Sequence, residues 1–281
     1  MHLDRYERVE EFLADAGAFL AEREAEHNLI LGISSSLRRD PNEYDGPPYL
    51  ATVTDHDHVA AAALRTPPYN LILSEVDDPA ALRPLLADLA QEQLPGVTGP
   101  PGAVRAFADG WVAQFGGAWD VLIRERIFRL AQFVAPRPAD GAARVALRDD
   151  RPVIERWMLE FGLEALNDAD AERVRLGLDD WERGNGRRFW LWEVDGRPVS
   201  IVGAGGETPN GIRIGPVYTP PSDRGHGFAS NLTASVSRAL MAEGRRYCFL
   251  YTNLANATAN KIYQAIGYEP VTDALMVAFT R

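Results

Sequence analysis

The sequence predicts an α/β protein built from two similar halves, and three observations carry that prediction. The chain has 281 residues, and at about 150 residues per domain that length suggests two domains. Apolar residues make up 46% and charged residues 25%, near the averages for soluble globular chains, which excludes a disordered polymer. One order of elements (helices, three strands, helix, strand, helix, strand) can be read twice, on either side of a proline-rich break near residue 140. This is a repeat of element order and not of residues, so it fits either an ancient duplication or two unrelated α/β units.

The first half opens on a helix, because Val9, Phe12, Leu13, Ala16, Phe19 and Leu20 recur at the three-to-four spacing of an amphipathic stripe. The run Arg38-Arg39-Asp40-Pro41-Asn42 ends it. Tyr49–Thr54 and Val59–Leu64 read as two strands around Asp55-His56-Asp57-His58, and Asn70–Val76 as a third. A turn at Asp77-Asp78-Pro79 leads to a helix over Ala80–Gln91. Pro95-Gly96 and Pro100-Pro101-Gly102 read as turns before a helix over Ala103–Phe115, and a long strand over Trp119–Phe133 closes the half.

Ala135-Pro136-Arg137-Pro138-Ala139-Asp140-Gly141 is the expected linker, and the expected division is 1–138 and 139–281. Beyond it, Arg144–Leu147 is a short strand and Pro152–Leu166 and Ala171–Arg183 are helices. Arg188–Val194 and Pro198–Gly203 form a hairpin around Asp195-Gly196. Then come a strand over Gly211–Tyr218, a helix over Gly225–Glu243, a strand over Tyr247–Thr252, a helix over Ala257–Ile266 and a strand over Leu275–Phe279.

Charge and cysteine usage narrow the function classes. The net charge is −11, and residues 1–140 carry −10 of it. With no basic cluster, a nucleic-acid partner is disfavoured. No apolar stretch approaches the ~20 residues of a membrane helix. The start, Met1-His2-Leu3-Asp4-Arg5, lacks a basic region followed by an apolar core. The lone Cys248 forms no internal disulfide and no cysteine-rich zinc site. These points lead us to expect a cytoplasmic protein.

The most informative stretch is Tyr218-Thr219-Pro220-Pro221-Ser222-Asp223-Arg224-Gly225-His226-Gly227-Phe228-Ala229-Ser230. An apolar strand ends in a Pro-Pro turn, and a glycine-rich loop opens a helix. Unpaired amides and the positive end of the helix dipole favour an anion there. Glycines at 225 and 227 let a phosphate approach the backbone, and Arg224 adds charge. A plain glycine-rich strand-to-helix turn would have the same local pattern. The stretch has no Gly-Lys-Ser/Thr ending and no Gly-x-Gly-x-x-Gly after a first strand, which excludes the two common nucleotide loops.

Arg224-Gly225-His226-Gly227-Phe228-Ala229 resembles the Gln/Arg-x-x-Gly-x-Gly/Ala signature of the GNAT superfamily of acetyl-coenzyme A-dependent N-acetyltransferases. Downstream, Asn256-Ala257-Thr258-Ala259-Asn260-Lys261-Ile262-Tyr263-Gln264-Ala265-Ile266-Gly267-Tyr268 is similar to that family's Asn-x-x-Ala-x-x-x-Tyr-x-x-x-Gly-Phe/Tyr helix. The resemblance covers roughly 142–281. It implies a mixed, mostly antiparallel central sheet flanked by helices, here as two domains in tandem. Domain 1–138 would be degenerate, with Asp77-Asp78-Pro79-Ala80 where a phosphate loop would fall.

The resemblance further implies acetyl-CoA as co-substrate with no metal, and direct acetyl transfer to a small-molecule or peptide amine by a monomer or homodimer. Val217, Tyr218 and Thr219 would hold the acetyl and pantetheine groups through their backbone. Arg224 and the amides of Gly225, His226, Gly227, Phe228, Ala229 and Ser230 would hold the pyrophosphate. Asn256 would contact the coenzyme, with Asn260 a second contact, and Tyr263 would protonate the leaving thiolate. Read from its own position, Tyr263 also fits a core aromatic beside Ile262 and Ile266. No carboxylate lies on the 211–218 strand or at Tyr251-Thr252, and Glu207 reads as a solvated turn residue. The general base is therefore unassigned, and a non-catalytic acyl-CoA-binding regulatory module is the alternative. Cys248 reads as a buried structural thiol, and Asp55-His56-Asp57-His58 as a solvated turn in preference to a metal site.

Overall fold

The computed structural model describes residues 1–44, 46–166 and 170–280. The chain forms two compact units, Met1–Ile127 with Val271–Arg281, and Phe128–Pro270. The expected single division at 138/139 differs from this in two respects: residues 128–138 belong to the second unit, and the last strand joins the first. Its residues Leu275 to Ala278 pair antiparallel with Gly99 to Gly96, and Leu275 and Val277 are buried in the first unit's core.

The first unit contains β1 (His2–Arg5), α1 (Val9–Glu22), α2 (Asn28–Arg39), β2 (Tyr49–Asp55), β3 (His58–Arg65) and β4 (Leu71–Leu73). A 3-10 turn over Pro79–Leu82 leads into α3 (Arg83–Asp88), then β5 (Gly96–Gly99), α4 (Pro101–Phe115) and most of β6 (Ala118–Leu130). The expected single long helix is broken in two. His27 explains the break: its ring Nδ1 lies 3.1 Å from the Leu20 carbonyl and its Nε2 accepts the Glu75 amide at 3.0 Å. β5 was expected as a turn. A Cβ at Gly96 would collide with the Val277 carbonyl oxygen, so this glycine permits close strand approach and does not mark a chain reversal.

The second unit contains β7 (Ala142–Val145), α5 (Arg151–Phe161), α6 (Ala171–Glu182), β8 (Arg188–Val194), β9 (Arg197–Glu207) and β10 (Gly211–Tyr218). It continues through α7 (Phe228–Ala242), β11 (Tyr247–Asn253), α8 (Ala257–Ala265) and the start of β12 (Tyr268–Thr280), whose remainder is the last strand of the first unit.

Both units are mixed, mostly antiparallel sheets flanked by helices, and they repeat one strand order. The first runs β1-β2-β3-β4-β5-β12, and the second β7-β8-β9-β10-β11 with the last residues of β6, Phe128 to Leu130. In the first, β4 and β5 pair parallel, and in the second β10 and β11 do. β1–β2, β2–β3, β3–β4, β7–β8, β8–β9 and β9–β10 are antiparallel. Each sheet buries both faces. In the second unit Trp190, Val202, Ile212, Ile214, Cys248 and Leu250 pack with Leu232, Val236 and Leu240 of α7. Phe189, Leu191, Ile201 and Tyr218 turn to the opposite face, against Ile154 and Trp157 of α5 and Leu178 of α6. The period of two along each strand produces this division. No helix among the described residues is long and apolar enough to cross a membrane.

Candidate functional site

The parallel pair β10–β11 is in register from Gly211↔Tyr247 to Arg213↔Phe249 and no further, although β10 continues to Tyr218 and β11 to Asn253. The strands therefore diverge. β10 stays paired with β9 out to Tyr218↔Ile201, after a register shift between Ile214 and Val217. An extra residue at Gly215-Pro216 re-aims the end of the strand, as bulges do. Val217 and Tyr218 thus have a ladder partner on the β9 side and none in β11.

Past the strand end, Ser200 Oγ donates to the Tyr218 carbonyl at 3.0 Å and lies 2.8 Å from the Thr219 hydroxyl, which fixes the turn. A 3-10 turn over Pro221–Asp223 follows. Arg197 donates twice to the nearly buried Asp223 carboxylate, at 2.7 and 3.3 Å. That pairing holds the Asp223 carboxyl below its ordinary range. Gly225 and Gly227 then adopt φ of +85° and +81°. A Cβ at 225 would meet nothing within 4 Å, and one at 227 would make only ordinary contacts. Left-handed backbone, and not crowding, is what calls for glycine at both positions.

Gly227 is the N-cap of α7, and no side chain caps the helix. Its first amides are therefore available to an anion, with the helix dipole aligned behind them. The His226 ring stacks on Phe228 at 5.3 Å with Nδ1 3.3 Å from the Asp223 carbonyl, so its backbone serves the loop while the ring packs outside. Ala229 and Ser230 lie in the first turn of α7. The segment expected as a linker is tied to this helix, because Asn231 Nδ2 donates to the Arg137 carbonyl at 2.9 Å.

The structure brings several expected residues together and gives others competing partners. Val217, Phe228 and Tyr263 share one apolar cluster. The Tyr263 ring lies 6.5 Å from Phe128 and 6.0 Å from Tyr268. Burial pushes its hydroxyl well above the usual phenol range, and that hydroxyl meets no hydrogen-bond partner among the described residues. Tyr263 is thus a core aromatic whose polar end is uncommitted. Asn256 caps α8, accepting the Ala259 amide at 3.0 Å. Asn260 donates to the carbonyls of Asn253 and Asn256, while its Oδ1 is buried without a partner. Arg224 donates to the Thr219 carbonyl at 2.9 Å and to Glu164 at 2.6 Å.

One functional candidate escaped the sequence reading. The Tyr218 hydroxyl donates to Glu160 Oε2 of α5 at 3.0 Å. Burial first, then the Glu160 hydrogen bond, push Tyr218 up to about 12. A carboxylate therefore does stand at the end of β10, supplied by a helix 58 residues away. Its sequence signal, a glutamate four residues after Arg156, is that of an ordinary solvated helix pair.

Comparison with known proteins bears on one segment of the chain and on its fold. Residues 196–277 match the FR47-like protein family, a span that holds both the loop and α8. A Drosophila protein of known structure superposes with a TM-score of 0.71 at 12% identity, covering 99% of this chain and 98% of its own. A tandem GNAT protein from the clavulanic acid biosynthesis pathway gives 0.57 at 13% identity, covering 99% and 98%. A GCN5-related N-acetyltransferase from Kribbella flavida gives 0.57 at 17% identity, covering 90% and 96%. The chain has the GNAT fold. No curated protein matches the sequence. In this GNAT-fold chain the FR47-like segment begins just before β9 and ends within β12, so it spans the divergent strand pair, the glycine loop and Tyr263.

The remaining candidates carry no site. Cys248 is fully buried, and burial pushes its thiol up to about 12. Among the described residues no group of three or more His, Cys, Asp or Glu side chains is placed to hold a metal, the Asp55–His58 turn included.

Proposed function

We propose that the chain is an N-acetyltransferase that moves an acetyl group from acetyl-CoA directly to an amine, with no covalent enzyme intermediate. The observation that carries this reading is the uncapped start of α7, preceded by two left-handed glycines and set beside two diverging strands. Such a helix start suits a pyrophosphate, and the free edge of β10 at Val217–Thr219 suits an amide-bearing pantetheine chain. Arg224 would exchange Glu164 for phosphate.

In the proposed reaction the amine nitrogen attacks the thioester carbonyl carbon, the carbon–sulfur bond breaks, and the sulfur leaves with the bonding pair. Tyr263 gives that sulfur a proton, which suits a hydroxyl with no other partner. Glu160, through the Tyr218 hydroxyl, takes the proton the ammonium must lose, filling the place that β10 leaves without a carboxylate. The protein works in the cytoplasm, as a monomer or homodimer.

Residues 139–281 would hold the catalytic domain, completed in the sheet by β6. Residues 1–138 would be a GNAT-like domain without coenzyme. In the first unit Asp78 itself accepts the Ala80 amide at 2.8 Å, putting a carboxylate where a phosphate would sit.

A thiol-release assay with acetyl-CoA across a panel of amines, repeated with Tyr263→Phe, tests the proposal. Turnover that falls about 100-fold or more in the variant supports it. Tight coenzyme binding with no turnover on any amine would favour the second reading, a non-catalytic acyl-CoA-binding module. That reading draws on the lack of a carboxylate on β10 and at the end of β11. No coenzyme binding by the folded protein would sink both.

A further inference from the structure

The face of the second unit's sheet that turns away from α7 carries two cations, Arg213 and Arg129, without counterions among the described residues. Ile212 and Ile214 of β10 enter the core beneath α7, so alternation turns Arg213 to the other face. Phe128 and Leu130 of β6 enter that same core, so Arg129 turns the same way. On β11, Cys248 and Leu250 face α7, leaving Tyr247 on the side of the two arginines. The Arg129 guanidinium lies 5.2 Å from the Tyr247 ring centre. The Arg213 guanidinium lies beside Gly206, where a Cβ would stand 3.1 Å from its Nη2.

Neither arginine forms a hydrogen bond or ion pair among the described residues. Arg213 Nη1 and Arg129 Nε are nonetheless withdrawn from solvent. Glu207, at the end of neighbouring β9, is engaged by Arg245 at 2.6 Å. A guanidinium nitrogen shielded from water with nothing to accept its proton is unfavourable. A planar fork of this kind is suited to a carboxylate.

The position of Arg213 gives the missing acceptor a role. It precedes Val217 by four residues on β10, about 10–13 Å along the strand. Val217 is the residue whose free edge is proposed to hold the thioester, and this inference rests on that reading. We infer that the acceptor amine carries a carboxylate about 10 Å from its nitrogen, received by Arg213, with Arg129 beyond Tyr247 adding a second positive charge. An extended tripeptide with a free C-terminus has that span. This assignment puts substrate recognition on the near-neutral half of the chain, and it makes the acceptor's anion, and not only its ammonium, a determinant.

The test compares Ala-Ala-Ala with its C-terminal amide in the thiol-release assay at saturating acetyl-CoA. The acid is expected to have a KM about 10- to 100-fold below that of the amide, the range for a hydrogen bond to a charged group. Arg213→Gln should collapse this ratio toward one, and Arg213→Lys should restore part of it. Equal KM values in the native protein, or a ratio that survives Arg213→Gln, would overturn the inference. Should no peptide turn over, calorimetry with N-acetyl-Ala-Ala-Ala in the presence of coenzyme A reads the same site. Binding by the native protein that Arg213→Gln loses supports the inference, and no binding by the native protein refutes it. Coenzyme affinity, measured in the same titrations, separately reports on the proposed function.

Discussion

Replacing Gly227 with alanine separates a structural role for the glycine loop from a binding role. The residue sits at φ +81° as the N-cap of α7. An L-residue held in the left-handed region costs about 1–2 kcal/mol. The added methyl group would lie 3.6 Å from Asn231 Nδ2 and 3.7 Å from Ala139 Cβ, both ordinary contacts, so no clash adds to that figure. A chain of this size should lose only a few degrees of melting temperature for such a change. Coenzyme binding should suffer more, because the methyl group stands beside the amides proposed to meet the pyrophosphate. Loss of one charge-assisted hydrogen bond, about 1.5–3 kcal/mol, corresponds to roughly a 10- to 150-fold rise in Kd. Isothermal titration with coenzyme A, paired with a thermal melt, measures both quantities. Gly227→Asn is the control, because asparagine tolerates the left-handed region: it should recover most of the stability while keeping the binding defect. A Kd unchanged in Gly227→Ala would refute the placement of the pyrophosphate at α7.

Three further outcomes follow from individual groups. Asp223 is held below its unfolded value of 3.8 by Arg197, so its contribution to stability is present above that value and lost as pH falls through the folded value. Melting temperature followed from pH 6 down to pH 2.5 should drop less steeply in Asp223→Asn than in the native protein. If Glu160 accepts the ammonium proton, Glu160→Gln should lower kcat/KM by about 100-fold or more near neutral pH. The deficit should narrow as pH rises toward the pKa of the amine, since free amine needs no base, and a deficit constant with pH would count against the role. Cys248 is fully buried with its thiol pushed up to about 12. The native protein should therefore resist alkylation by iodoacetamide at pH 8 and react only after unfolding.

The parts of this structure that were legible in the sequence are those specified locally. The Asp195-Gly196 hairpin, the stripe of α7 and the glycine loop each depend on residues a few positions apart, and each lies where the sequence put it. Features set by distant partners were not legible. β5 was hidden because its glycines resemble a turn until Val277 and Leu73 are seen packed against Gly96 and Gly99. The break between α1 and α2 depends on His27 reaching the Glu75 amide, 48 residues away. The carboxylate missing from β10 was sought along the strand and came from α5, where Glu160 meets Tyr218 only through the fold. The membership of β12 in the first unit was hidden for the same reason, since it is decided by pairing with Gly96–Gly99.

The repeated strand order makes the difference between the halves a matter of a few residues. In both sheets the third antiparallel partner leads into a parallel pair, β4–β5 in one and β10–β11 in the other. In the first unit β4 ends at Leu73, one residue past its last pairing at Ile72↔Thr98, so there is no long free strand edge to receive an extended ligand. The helical segment that follows starts with Asp78 bonded to its own Ala80 amide. In the second unit β10 runs five residues beyond its last β11 pair, a bulge turns it, and left-handed Gly227 leaves α7 uncapped. A carboxylate cap stabilises a helix start by occupying the amides that an anionic ligand would need. By this argument the first unit gives local stability where the second leaves free the amides that the proposed pyrophosphate site would use. Because Asp78 caps only a four-residue 3-10 turn, removing it would expose amides without recreating the strand edge. Asp78→Gly should therefore lower the melting temperature while adding no second coenzyme equivalent in a titration, and a stoichiometry rising to two would show that the cap alone had closed the site.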